Sequence, residues 1–512
     1  MKYLSILNQI LGPVIRGPSS SHTAGSFFIG RLARSLLGAE PQAVEISFEA
    51  NGSYAQVYRQ QKADCGFAAG LLGWEITDGR FPSALDYAAQ SGLDLKFQSA
   101  AFPEADHPNF VQLRLRSKTG EEVTLKAKSV GGGMVEISEL GNWPVKASGD
   151  RFDYFFVLPW EEKEAFLQFL QASLSNAEKI EVNQRPGAVF FHVSLFRPMA
   201  DELIESIKAT FPVRNIWQAP PLMAVASGRP LFSSAADAIS LAAREKLTLG
   251  ELAIVYECQL LGLGESEIRS ELARRIKIMR QAVASGMRGD LELQLLRPTA
   301  HLIAKAEKKG KLAGGMLTRA AARAMAAQHT AASMGVVCAA PTAGSAGTLP
   351  GVIDTLLEDR KISEEKAVEA LAAAGAVGLI VGFRATFAAE VAGCQVEIGA
   401  AGAMGAAAVV EASGGGAKEA FDAASISFQN TMGSVCDLVQ GVCEIPCHTR
   451  NAVAAASAFI CADLILGGYV NPIPLDETID AVYEVGKMLP AELKVTSLGG
   501  LALCPSARKM KK

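Results

Sequence analysis

Much that would point to nucleic acid, secretion or a membrane is missing from this 512-residue sequence. It has no Lys/Arg-rich tract before the short tail at 508–512, and its formal net charge is only −4, so no polyanion partner is expected. A membrane span needs about 20 mostly apolar residues in a row. The longest uncharged run, 324–353, is broken by Pro341, Pro350 and many Gly, Ser and Thr residues, so no membrane role is expected. The apolar stretch at 1–16 is interrupted by Asn8, Gln9 and Pro13, and no small-residue cleavage site follows it, so a secretory leader is not expected and the location is read as cytoplasmic. An odd number of cysteines, nine, argues against a disulfide framework. Neither the CxxC pairing of a zinc ribbon nor the close spacing of a bacterial ferredoxin occurs. Ser413-Gly414-Gly415-Gly416 has the look of a phosphate-cradling loop, but no Schiff-base lysine motif accompanies it, which sets pyridoxal phosphate aside. What remains is an ordinary globular composition, 49% hydrophobic, in a chain too long for one core.

Three textures divide the chain. Residues 1–148 mix β-like runs (43–48, 110–115, 122–127) with helical segments and Gly clusters, an α/β reading. Residues 150–224 read as strand 152–158, helix 161–174, strands 179–183 and 188–195 around the turn Gln184-Arg185-Pro186-Gly187, helix 199–211 and strand 213–218. That β-α-β-β-α-β order is the ferredoxin-like split pattern, and without catalytic-looking residues it resembles the ACT modules that bind amino acids. From 230 to 512 the chain is Ala-rich and helical in period (247–261, 265–284, 364–381), an all-α region with glycine breaks expected at 344–351, 399–405 and 413–416.

Seven of the nine cysteines follow residue 330. Cys338 and Cys461 read as small buried hydrophobes. Gly393-Cys394-Gln395, Cys436-Asp437 and Pro446-Cys447-His448 instead place thiols at turns or helix ends, 42 and 11 residues apart. Three thiolates on separate segments hold a cluster while leaving one metal position open, an arrangement suited to Lewis-acid chemistry on a substrate oxygen rather than electron transfer. Ser19, Ser20, Ser21, His22 and Thr23 precede the helical run 24–37. Hydroxyls and free N–H groups at such a helix start suit an anion such as a substrate carboxylate. The stretch Thr342, Ala343, Gly344, Ser345 and Gly347 is a flexible loop where backbone approaches a small ligand, and Arg450 beside Cys447 has the fork to pair with a carboxylate.

The motifs around these positions are Ala340-Pro341-Thr342-Ala343-Gly344-Ser345-Ala346-Gly347, Gly393-Cys394-Gln395-Val396-Glu397-Ile398-Gly399 and Ile445-Pro446-Cys447-His448-Thr449-Arg450-Asn451. Together they resemble the α portion of iron–sulfur L-serine dehydratases. Gly17-Pro18-Ser19-Ser20-Ser21-His22-Thr23-Ala24-Gly25, His107-Pro108-Asn109 and Ser129-Val130-Gly131-Gly132-Gly133 resemble that family's β portion. The resemblance covers nearly the whole chain and implies an oxygen-sensitive lyase with a [4Fe-4S] cluster on Cys394, Cys436 and Cys447, converting L-serine to pyruvate and ammonia by β-elimination. It implies substrate contacts at Ser19–Ser21, Thr23, Thr342–Ser345, Gly347, Arg450 and Asn451, an amino-acid or ion effector at the ACT-like part, and a homodimer. A related lyase acting on cysteine or threonine, or a non-catalytic amino-acid sensor, are the alternatives. One departure bears on mechanism. Where the family commonly carries a histidine before a retained aspartate, this chain has Gln61, followed by Lys62 and Asp64. A glutamine is no general base, which leaves His22 or Lys62 as candidates. Cys443 competes with Cys436 as a ligand, and Cys504, in a glycine-bearing apolar tail, is expected as a resting-state fourth ligand.

Overall fold

A computed structural model describes residues 3–174 and 177–510; the first two residues of the 1–16 stretch and the last two of the 508–512 tail lie outside the described residues. The chain is multidomain, with two larger sheets ahead of a helical C-terminal region.

The first sheet has six strands, in the spatial order Asp94–Ala100, Pro41–Glu49, Phe110–Ser117, Glu122–Gly131, Met134–Leu140, Trp143–Ala147. The first pair is parallel and the rest antiparallel. The three strands expected here are present, and Asp94–Ala100, Met134–Leu140 and Trp143–Ala147 join them. One face carries the helices Gly25–Leu37 and Ala63–Leu71, which cross at glycines. A Cβ at Gly70 would lie 2.3 Å from the Phe27 carbonyl oxygen, and one at Gly66 2.3 Å from that of Thr23. No side chain fits there, and this close crossing sets the Ser19–Thr23 turn against the 58–62 turn.

The second sheet is antiparallel and four-stranded, ordered Asn215–Ala219, Phe152–Leu158, Ala188–Leu195, Ala177–Arg185. Helices Lys163–Ser173 and Asp201–Thr210 cover one face through Phe166, Leu170, Ile204 and Ile207. Its other face, with Phe155, Val157 and Phe190, packs toward the first sheet, where Trp143 stacks on Phe190 at 5.3 Å.

In the helical region Ile398–Ala412 runs through the middle, flanked by Thr348–Glu358, Glu364–Arg384, Ala417–Thr431 and Cys447–Leu466. Two of the expected glycine breaks need correction. Gly399, Gly402 and Gly405 lie inside Ile398–Ala412, and Gly351 inside Thr348–Glu358. These glycines are there for close packing: a Cβ at Gly402 would stand 3.0 Å from Ser427 Oγ, and at Gly351 2.7 Å from Ala324 Cβ. Residues 344–347 do form the turn ahead of Thr348–Glu358, and 413–416 is the break between Ala412 and Ala417. Glu364–Arg384 and Cys447–Leu466 are long and apolar enough to cross a membrane, but both pack against other helices of this core, and a helix apolar all round is what a core requires.

The C-terminal region is not purely α, and the N-terminus belongs partly to it. Val336–Cys338 pairs antiparallel with Val14–Arg16. Upstream, the Ile6–Ile10 turn is buried among the helices: the buried Glu257 carboxylate accepts the N–H groups of Ile6 (2.8 Å) and Leu7 (3.0 Å), while Arg275 donates to the carbonyls of Leu7 (2.8 Å) and Leu11 (2.7 Å). This anchor fixes the Ser19–Thr23 turn relative to the cysteine segments.

Candidate functional site

Four thiols meet in one buried cluster: Cys394, Cys436, Cys443 and Cys447, with Ala389, Ile398 and Leu438 around them. Cys394 opens a single tight turn, Cys394–Val396, after Gly393, whose φ of 75° and contact with the Ser434 carbonyl leave no room for a side chain. Cys436 is tied down by backbone bonds on both sides, its N–H to the Leu493 carbonyl (2.8 Å) and its carbonyl from the Val495 N–H (2.9 Å). Cys447 is the first residue of Cys447–Leu466. Glu444 accepts the N–H groups of Leu295 (2.9 Å) and Leu296 (2.8 Å), fixing the Cys443 loop to the segment ahead of helix Ala300–Lys308.

The electrostatics of the cluster call for a cation. The Cys394 thiol is held below its ordinary range by the Cys436 thiol, its hydrogen-bond partner, and by Arg450, whose Nη1 lies 3.6 Å from Cys394 Sγ. Cys436 and Cys447 are pushed well above theirs, first by their partner thiols Cys394 and Cys443 and then by burial. Several thiolates at this spacing repel one another unless a metal neutralises them. Glu397 joins the group: its carboxylate and the thiols of Cys394 and Cys436 lie within 4.8 Å of one another, a donor set fit for a metal ion. Burial, then the thiols of Cys394 and Cys443, pushes the Glu397 carboxyl well above the carboxylate range. Iron favours thiolate donors, and a buried, multi-thiol, cation-demanding pocket fits an iron–sulfur group.

Facing the thiols across a narrow cavity of about 40 Å³ is the Ser19–His22 turn. The space suits only a small polar ligand. Cys436, Cys443 and Cys447 line it on one side, Ser19, Ser20, Ser21, His22 and Gln61 on the other, with Gly344, Glu390 and Glu397 between. His22 is buried and held by hydroxyls at both ring nitrogens: Nδ1 lies 3.1 Å from Ser21 Oγ and 3.3 Å from Ser19 Oγ, Nε2 3.0 Å from Ser53 Oγ. Desolvation lowers its pKa to about 4, so it is neutral at pH 7. Tyr54 packs edge-on to the ring and donates to the Ser21 carbonyl. The His107-Pro108-Asn109 motif backs this wall, since a Cβ at Gly52 would strike the Pro108 carbonyl at 2.4 Å.

The other expected residues fall as follows. Thr23 is fully buried, its Oγ1 donating to the Gln61 carbonyl at 2.7 Å, so it joins the two N-terminal turns rather than facing the cavity. Gln61 donates to the Gly441 carbonyl, bridging to the cysteine side. Lys62 and Asp64 do not line the cavity. Lys62 sits at φ 56°, a left-handed position that favours glycine, and Asp64 accepts the Cys65 N–H at 2.9 Å. In the loop, Thr342 and Ser345 bond each other at 3.1 Å, and Ala343 is buried. Gly347 donates to Asn451 Oδ1, which also accepts from Thr348, while Asn451 Nδ2 donates to the carbonyls of Gly344 (2.8 Å) and Cys447 (2.9 Å). Asn451 is thus occupied in joining the loop to Cys447–Leu466. Arg450 pairs with Asp437 at 3.0 Å and with the Val435 carbonyl at 2.7 Å. Cys504 is exposed and outside the cavity lining. It stands at the N-cap position of the short helix Pro505–Lys509, and the fourth thiol in the buried cluster is Cys443. The Ser413–Gly416 loop simply joins two helices and does not line the cavity. Two lining residues escaped the sequence reading, Glu390 and the role of Glu397. They flank Cys394 at −4 and +3, and acidic residues so placed about a candidate ligand were the available signal.

A protein of Bacillus subtilis (strain 168) named probable L-serine dehydratase, alpha chain, is 34% identical over 284 residues, covering 55% of this chain and 95% of its own length. The corresponding alpha chain of Latilactobacillus sakei is 41% identical over 196 residues, covering 38% of this chain and 94% of its own. The probable L-serine dehydratase, beta chain, of the same Bacillus is 41% identical over 151 residues, covering 29% of this chain and 66% of its own. One polypeptide therefore carries likeness to both chains. The serine dehydratase alpha chain family matches residues 170–502, and this chain belongs to it.

Proposed function

We propose that this chain is an L-serine ammonia-lyase that forms pyruvate and ammonia, with a [4Fe-4S] cluster on Cys394, Cys436 and Cys447. The observation that carries the reading is the four-thiol cluster facing the hydroxyl-rich Ser19–His22 turn across a narrow, polar-lined cavity. When bound, the cluster supplies a Lewis-acidic iron that makes the β-hydroxyl a better leaving group. The chain's own residues do the rest. Ser19, Ser20 and Ser21 offer hydroxyls to the substrate carboxylate at the start of a buried turn. His22, neutral and lining the cavity, takes the α-proton in this reading, which the position of Lys62 and Asp64 off the cavity supports. Loss of the α-proton and the hydroxyl yields aminoacrylate, which tautomerises and hydrolyses without further help. Arg450, already paired with Asp437, screens the Cys394 thiolate rather than the substrate. The Thr342–Gly347 loop contributes Gly344 to the wall and is held there by Asn451.

The 150–224 part is read as a ferredoxin-like, ACT-like regulatory module that takes an amino acid or ion. Its strand order, and the lack of cavity-lining residues from it among the described residues, support this. Division into 1–148, 150–224 and 230–512, a homodimer and a cytoplasmic location complete the proposal. Anaerobic protein reconstituted with iron and sulfide is assayed for pyruvate from L-serine, L-threonine and L-cysteine. Serine preferred, with absorption near 400 nm bleached by air, supports the reading. Preference for cysteine or threonine replaces the substrate, and no turnover of any of the three leaves a sensor.

A further inference from the structure

The charged inventory of the cavity is lopsided. Apart from thiols, its lining holds His22, Glu390 and Glu397 as titratable groups and, among the described residues, neither lysine nor arginine. A zwitterionic ligand entering it finds hydroxyls for its carboxylate, and carboxylates for its cation. Of the two, Glu397 is engaged beside Cys394 and Cys436 and next to the Thr342 hydroxyl. Glu390 is different. Its Oε1 is buried and has no hydrogen-bond partner among the described residues. Orphaned buried carboxylate oxygens are costly and call for an explanation. The residue sits where the two regions meet: Ala388, two positions upstream, lies against Gly131 of the glycine turn after Glu122–Gly131, 3.3 Å from where a Cβ would be. Position, a carboxyl group and an unpartnered buried oxygen coincide at one residue.

We propose that Glu390 receives the α-ammonium of the substrate and restricts the enzyme to α-amino acids. An ammonium offers three N–H donors and a full charge, enough to satisfy the orphaned oxygen. An α-hydroxy acid of the same shape offers one neutral donor and leaves the carboxylate under-compensated. This rests on the proposed function only in taking the ligand to be a small amino acid.

The test compares L-alanine with L-lactate, which match serine's backbone without its leaving group and differ from each other only at the α-substituent. Binding to the reconstituted, anaerobic protein is measured by calorimetry, independently of turnover. Wild type should prefer L-alanine by on the order of 10²-fold, the worth of a charge-assisted hydrogen bond. Glu390→Gln should erase that preference by weakening L-alanine while leaving L-lactate unchanged, and Glu390→Asp should restore part of it. Equal binding of both ligands by wild type, or an intact preference in Glu390→Gln, overturns the proposal. If Glu390→Gln binds neither ligand, Glu390→Asp decides: a preference for L-alanine supports the role, and none overturns it. Loss of serine turnover in wild type would instead count against the proposed function, because the binding comparison does not depend on it.

Discussion

The two walls of the cavity are built on opposite principles. On the N-terminal side, Ser19, Ser21, Ser53 and His22 form a closed hydrogen-bond network, each ring nitrogen within 3.3 Å of a hydroxyl. On the C-terminal side, four thiols crowd together with acidic neighbours and little to satisfy them beyond each other and Arg450. The first wall's polar groups are paired within the protein, while the second offers a thiol and carboxylate donor set fit for a metal ion. The difference teaches that hydroxyl and imidazole groups are gathered on the N-terminal wall and the metal-capable donors on the C-terminal one.

The largest effect should come from breaking the second wall. Cys394→Ser, Cys436→Ser and Cys447→Ser should each abolish iron content and turnover, read by metal analysis and the visible spectrum. Cys443→Ser measures whether the fourth thiol is a ligand: full iron and activity there keep the three-cysteine set, whereas loss in Cys443→Ser with retention in Cys436→Ser would reverse the assignment.

Breaking the first wall should spare the metal. His22→Ala is expected to keep iron but lower kcat roughly 10²–10⁴-fold, the usual contribution of a general base. Lys62→Ala, off the cavity, should leave kcat near wild type, and a loss as large as that of His22→Ala would move the base to Lys62.

Separating the walls is the next test. Asn451→Ala removes the side-chain amide that the Gly344 and Cys447 carbonyls and the Gly347 N–H bond to across the loop–helix junction. A buried unpaired polar group costs about 1–3 kcal/mol, so the thermal midpoint should fall and KM rise, with iron binding affected less.

Acid should weaken the protein through its buried histidines. His22 and His329 titrate near about 4 in the fold, lowered first by desolvation, against about 6.5 in an unfolded chain. Between pH 6.5 and 4 the unfolded chain binds protons that the fold refuses, so stability is present above this window and is lost as pH falls through it. The thermal midpoint of His22→Gln should decline less steeply over the same range than that of wild type.

The smallest effects belong to thiols outside the cluster. Cys338 donates to the Leu11 carbonyl, and Cys461 lies on the core side of Cys447–Leu466. Cys338→Ser and Cys461→Ser should keep iron and activity.

Legibility followed the range of the interactions. The middle region's element order and the helices at 265–284 and 364–381 could be read because amphipathic period and turn chemistry are local. The helix crossing at Gly66 and Gly70, and the buried glycines of Ile398–Ala412, could not. There glycine serves close packing, and sequence alone does not distinguish that use from a break. The N-terminal sheet was half visible: Asp94–Ala100 has no buried residue and Trp143–Ala147 is only five residues long.

By itself the sequence determined the donors: thiols after residue 330, a Ser/His turn before a helix, and glycine-rich segments around them. It did so because thiolate, hydroxyl and imidazole chemistry belong to residue types. Only the tertiary structure decided which of them meet. It placed Cys443 inside and Cys504 outside, turned Arg450 to Asp437, occupied Asn451 with backbone, and left Glu390 facing the cavity. These outcomes depend on contacts between distant segments, such as Glu257 with Ile6 and Gln61 with Gly441, and no local pattern encodes where such segments come to rest.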